Sequence, residues 1–217
     1  MTTLAALKAR IVDDLNRSDL TTQIADAIND AIDFYEEQRF YFNETRASTF
    51  ATVSAQSTYT SSDDADIPLW VALDAVYITD SNSETYELDP IDPVIIEAYL
   101  DNSASSGRPR VYSYYEQSFR FHPIPNAVFT VRPLGVIKKA APATDSEASN
   151  VWMVDAFELI RCRAKAYLGL HVLRNPDLVV QMVGIDGNGG AAAQAHAKLR
   201  RETKKKTDYL PIEATTF

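Results

Sequence analysis

One cysteine and three histidines in 217 residues close off several kinds of chemistry at once. A lone thiol at Cys162 forms no intrachain disulfide, and so few sulfur and imidazole ligands leave little from which to build a zinc site. Glycine is scarce too, at seven residues. Its one cluster, residues 184–190 (GIDGNGG), matches neither the dinucleotide fingerprint nor the P-loop and follows no strand pattern. It reads as a hinge between helices. No window approaches the roughly 18 apolar residues of a membrane span, and the opening MTTLAALKAR has no long apolar run. The expectation is a soluble chain made in a reducing compartment, without membrane contact.

Catalytic signatures are missing as well. No G-x-S-x-G, H-E-x-x-H, C-x-x-C or Walker sequence occurs, and His122, His171 and His196 fall in segments of different type. A carboxylate pair such as Asp155 with Glu158 has the chemistry for acid-base work, but an acidic chain offers many such pairs by chance. The expectation is a protein that is not an enzyme, with no catalytic residues, no metal ligands and no cofactor.

What is present is charge, unevenly placed. The formal net charge is -9. Residues 198–217 hold six basic side chains (Lys198, Arg200, Arg201, Lys204, Lys205, Lys206) against three acidic ones, so that segment is +3 and the body before it -12. An acidic body argues against adhesion to nucleic acid, whose phosphates are gripped by Lys and Arg.

Apolar residues at steps of three and four predict helices over much of the chain. Residues 151–174 read as one central helix with two apolar faces, capped by Ser149 or Asn150 and stopped at Asn175-Pro176-Asp177, which opens the next helix. Its two faces run through Met153, Phe157, Ile160, Ala164, Tyr167, Leu168 and His171, and through Leu159, Cys162, Ala166, Leu170 and Leu173. A first helix is capped by Thr2 or Thr3, carries Leu4, Leu7, Ile11 and Leu15, and ends near Asn16. A longer one begins at Ser18-Asp19 and runs on to Phe40, Tyr41 and Phe42. A last helix covers residues 191–206, its basic end complementing the dipole.

From residue 47 to 139 the pattern alternates and turn residues multiply. Strands are predicted at 49–54, 71–79, 85–88, 110–115, 118–123 and 127–135, with a helix opened by Asp92 and Pro93. Tyr112, Tyr114, Tyr115, Phe119 and Phe121 line one hairpin, as aromatic core or as a ligand-stacking surface. The expected fold class is therefore α+β: a helical bundle with a β-rich insertion between its N-terminal and C-terminal helices and an extended C-terminal tail. The boundaries are residues 1–46, 47–139, 140–206 and 207–217.

Two features invite a functional reading. Asp26, Asp30, Asp33 and Glu37 recur at steps of four, three and four, which lines four carboxylates along one helix face as a solvated stripe, as the wall of a passage for a polyanion, or as a divalent-cation site that no oxygen-ligand loop accompanies. The tail, TDYLPIEATTF, holds Tyr209, Leu210, Pro211, Ile212 and Phe217 in a non-helical run. Eleven extended residues reach roughly 35 Å. Burying one of its large apolar side chains is worth about 1.5–3 kcal/mol, while ordering each residue costs about 1–2 kcal/mol. One such tail binds weakly, but many presented together from a ring bind well.

The order helix pair, β insertion, central helix, hinge, basic helix and tail resembles the head-to-tail adaptor (connector, head-completion) proteins of tailed bacteriophages. Residues 24–46 (IADAINDAIDFYEEQRFYFNETR), 107–135 (GRPRVYSYYEQSFRFHPIPNAVFTVRPLG) and 158–176 (ELIRCRAKAYLGLHVLRNP) carry the likeness. The resemblance implies a structural virion protein, made in the host bacterial cytoplasm and placed at the head-tail interface. It implies a homo-oligomeric ring, commonly of twelve copies, that joins the portal protein to tail nozzle or other tail proteins. Double-stranded DNA passes through without sequence-specific binding. Lys198, Arg200, Arg201, Lys204, Lys205, Lys206, Tyr209, Leu210, Pro211, Ile212 and Phe217 would face the portal, and Asp26, Asp30, Asp33 and Glu37 would line or neighbour the channel. The competing reading is a glycan-binding or cell-wall-degrading tail protein that uses the tyrosine-rich hairpin.

Overall fold

The computed structural model describes residues 2–102, 105–185 and 189–207. The chain divides into two compact units: residues 1–42 with 139–217, and residues 43–138. The first is helical and the second holds the sheet, which gives an α+β fold.

In the helical unit, α1 (Leu4–Leu15) starts where the Thr3 hydroxyl accepts from the Ala6 N–H, and stops at Asn16 in the left-handed region, φ 50°. Its Leu7 and Ile11 are buried. α2 (Thr21–Tyr35) buries Ile24, Ala27, Ile28, Ala31, Ile32 and Tyr35, a stripe at steps of three and four. It does not run on to the aromatic cluster. Phe40 and Phe42 both pack on the buried Trp152, with ring centroids 6.4 and 5.3 Å away, and stack on each other at 5.2 Å. Residues two apart lie on opposite sides of a helix and on one side of an extended chain, so the helix must end first.

The sheet unit comprises β1 (Glu44–Thr45), β2 (Phe50–Ala51), β3 (Thr58–Tyr59), β4 (Trp70–Thr79), β5 (Thr85–Pro90), α3 (Pro93–Asn102), β6 (Ser106–Gly107), β7 (Val111–Tyr115), β8 (Ser118–His122), β9 (Ile124–Pro125) and β10 (Thr130–Ile137). Eight of the strands form a mixed half-barrel in the order β1-β10-β4-β5-β7-β8-β3, with β2 also on β10, and β6 pairs separately with β9 in parallel. β5 and β7 pair in parallel and their neighbours antiparallel. The β7–β8 hairpin turns through Glu116 and Gln117, both at positive φ, as two-residue hairpin loops require. Phe50, Tyr59, Phe119, Phe121, Val76 and Ile78 centre its core. Asp92 caps α3 by accepting from the Val94 N–H at 2.8 Å.

Returning to the helical unit, the region expected as one central helix is three pieces: α4 (Val151–Val154), α5 (Phe157–Tyr167) and a five-residue π-helical turn, Leu168–Val172. Asn150 caps α4, accepting from the Trp152 N–H. The helix then breaks at Asp155, whose carboxylate accepts from the Tyr41 hydroxyl at 2.6 Å. In the π turn the Leu173 N–H reaches back five residues to the Leu168 carbonyl. The extra residue rotates the register, so Leu170 and His171, expected on buried faces, are exposed. Tyr167 is exposed with them, its ring against His171 at 4.4 Å. α6 (Pro176–Val183) opens as expected, with Asn175 accepting from the Leu178 N–H. α7 (Gly190–Thr207) completes the unit. Trp152 is fully buried at its centre and donates from Nε1 to the Lys139 carbonyl at 2.9 Å.

Candidate functional site

The acidic residues singled out on α2 point away from its buried face. Asp26, Asp30 and Asp33 are exposed along the helix, and Glu37 is exposed in the turn that follows Tyr35. The stripe therefore leaves the helix before its fourth member. The nearby Asp30 carboxylate, as hydrogen-bond acceptor and as charge, raises the Tyr167 pKa above the ordinary tyrosine value. Among the described residues no group of three or more His, Cys, Asp or Glu side chains gathers into a metal-binding arrangement.

The basic set lies on α7. Lys198, Arg200, Arg201, Lys204, Lys205 and Lys206 are all exposed, while Leu199 and Thr203 turn inward. Lys204, Lys205 and Lys206 occupy the last turn, where a cation meets the negative end of the helix dipole. Lys206 also sits over the Tyr41 ring, its Nζ 3.3 Å from the centroid. Thr203 anchors that end: its hydroxyl accepts from the Tyr41 N–H and donates to the Leu199 carbonyl. Tyr209, Leu210, Pro211, Ile212 and Phe217 lie outside the described residues.

Two arrangements leave no mark in the sequence that predicts them. In the first, the Asp14 carboxylate on α1 takes hydrogen bonds from Arg161 and Lys165 on α5, and Arg161 also pairs with Glu158. The Arg161 bond is the main reason the Asp14 pKa is held below the usual carboxylate value. The spacing of Arg161 and Lys165 hinted at a shared face, but nothing local pointed to α1.

The second arrangement is a cleft of about 350 Å³ bordered by Phe34, Tyr35, Arg163, Ala192, His196 and Arg200. It continues into an apolar groove of about 410 Å³ whose border shares Arg163 and Val183 and adds Tyr167, Leu170 and Ile185. The Arg163 guanidinium stacks 3.7 Å above the Phe34 ring. His196 packs between Tyr35 and Phe40, at 5.8 Å from each ring, and burial pushes its pKa below the ordinary value.

The tyrosine-rich hairpin is largely spent on the core. Tyr112, Phe119 and Phe121 are buried, Tyr114 is half-buried against Phe119, and Tyr115 alone of the five is exposed. That removes most of the stacking surface a glycan reader would present. No helix among the described residues is long and apolar enough to cross a membrane.

Comparison with known proteins gives one assignment. No curated protein matches the chain. A family model described as SU10 adaptor protein matches residues 2–209. The match covers nearly the whole chain, both units included, and the chain therefore belongs to the SU10 adaptor protein family of phage head-tail adaptors.

Proposed function

We propose that the protein is a structural virion component whose copies form a ring, twelve in number, that joins the portal to the tail and lines the DNA passage. The observation that carries the reading is α2: one face of the helix is wholly buried while Asp26, Asp30 and Asp33 stand on its exposed side. A fixed row of carboxylates repels phosphates, so a duplex slides past without adhering. The basic end of α7 and residues 207–217 face the portal in this reading. Tails from many copies engage together, which compensates for the weakness of each. The sheet unit then meets neighbouring copies or tail components.

The test is the native mass of the purified protein, alone and mixed with the portal ring encoded by the same genome. A stoichiometric ring on the portal is the expected result, and indifference to the portal at every concentration would reject the reading. Deleting residues 207–217 is expected to abolish co-migration with the portal ring; unchanged co-migration would remove the tail from the docking surface. Reversing Asp26, Asp30, Asp33 and Glu37 to Lys is expected to make assembled rings retain duplex DNA at low salt, with the retention falling steeply as salt rises.

A further inference from the structure

α5 carries three cations in five residues, and they are treated differently. Arg161 and Lys165, four apart, share one face and are both satisfied by Asp14. Arg163 lies between them in sequence and so on the opposite side of the helix, half-buried over Phe34. Among the described residues no carboxylate pairs with it, nor with Arg200 across the cleft. A half-buried guanidinium stacked on a ring, with no carboxylate on it, has donors free for an anion. The groove that continues from it is apolar, with Ile185 89% exposed and Leu170 exposed beside it. A phosphate backbone makes no use of an apolar floor, whereas a protein segment with aliphatic residues beside a carboxylate uses both.

The chain itself displays such a segment. α3 buries only Ile96 among its large residues and leaves Val94 77% exposed, with Ile95 and Tyr99 exposed beside it. Val94, Ala98 and Asp101 fall at steps of four and three, so the carboxylate ends an apolar stripe on one face. Asp101 also sits in the last turn of its helix, where the dipole disfavours a negative charge unless a cation covers it.

We propose that α3 of a second copy of this chain lies in the groove, with its Asp101 as the counter-ion of Arg163. The contact joins two different surfaces, groove and helix, and is therefore head-to-tail, the kind that closes into rings. This inference rests on the ring reading above.

A charge exchange tests it. Arg163→Glu and Asp101→Arg are each expected to weaken ring formation on the portal by at least about tenfold, since each sets like charges against one another. Mixed in equal amounts, the two variants are expected to recover the ring. Copies then alternate, and every junction joins either Arg163 to Asp101 or Glu at 163 to Arg at 101. A misfolded variant is not rescued by mixing, so recovery excludes simple loss of folding. Single variants that assemble like the wild type would overturn the contact while leaving the ring reading intact. So would a mixture that stays unassembled. A wild-type chain that forms no ring with the portal would overturn the ring reading itself and this contact with it.

Discussion

Arg161 grips Asp14 across 147 residues of sequence, its Nε and Nη2 donating to the two carboxylate oxygens at 2.8 and 2.7 Å while Lys165 adds a third bond at 2.9 Å. The pair ties the first helix of the chain to α5, on the far side of the sheet unit in sequence. Replacing Asp14 with Asn leaves two partly buried cations facing a neutral amide. We expect a loss of about 1–2 kcal/mol at neutral pH, between the value of an exposed pair and that of a buried one, measured as a shift in the urea midpoint. Because the folded-state pKa of Asp14 is lowered, its contribution is present above the unfolded carboxylate value and is lost as pH falls through the folded one. The gap between wild type and variant should therefore close in acid; a gap that stays constant with pH would refute the assignment.

Thr203 is buried, and its hydroxyl serves the Tyr41 N–H and the Leu199 carbonyl at once. Valine keeps the shape and removes both bonds. Thr203→Val should cost about 1–3 kcal/mol, most of it from the backbone N–H left without its acceptor. Hydrogen exchange at Tyr41 gives the local readout, which should quicken more than exchange in α1.

Gly135 lies in β10 against β4, at an irregularity in the pairing. A Cβ there would stand 2.1 Å from the Ala72 carbonyl oxygen and 2.9 Å from the Leu73 Cα. Both are backbone atoms in the middle of the sheet. Gly135→Ala should therefore destabilise the sheet unit by at least about 1–3 kcal/mol. A thermal melt matching that of wild type would show that the strands separate there at little cost.

Burial pushes the Cys162 thiol above its ordinary pKa, so little of it is thiolate at neutral pH. A thiol reagent should modify the native protein slowly and react fully once denaturant is added. Rapid modification of the native chain would mean that the contact of α5 with α6 and α7 opens readily.

The parts of this fold that were legible in the sequence are those fixed by local signals. Thr3, Asn150, Asn175 and Asp92 each cap the helix they precede, because a short polar side chain bonds to an N–H two or three residues on, wherever the rest of the chain lies. The apolar stripe of α2 and the exposure of Asp26, Asp30 and Asp33 follow from the helical period alone. What was not legible depends on distant partners. Asp155, where the helix breaks, takes its side-chain hydrogen bond from Tyr41, 114 residues away. β3 is two residues long and exists because Thr58 and Tyr59 meet Arg120 and Phe119. The π turn shifted Leu170 and His171 outward with no mark in the periodicity, since Gly169 packs beneath the side chains of Leu178 and Val179 and only the folded chain reveals that approach. Arg163 is hidden for the same reason: sequence shows three cations on a helix, and only the structure shows which one lacks a carboxylate.

β1 and β10 are the first and last strands of the sheet unit, and they are paired: Glu44 stands opposite Val136, and the Ile137 N–H bonds to the Asn43 carbonyl at 3.0 Å. The chain thus leaves this unit beside the place where it entered. A stretch with adjacent ends behaves as a cassette: a substitute of another length or sequence imposes no stretch on its flanks, provided its own ends also meet. Exchanging residues 43–138 in one piece for such a substitute therefore leaves the two flanks at their present spacing.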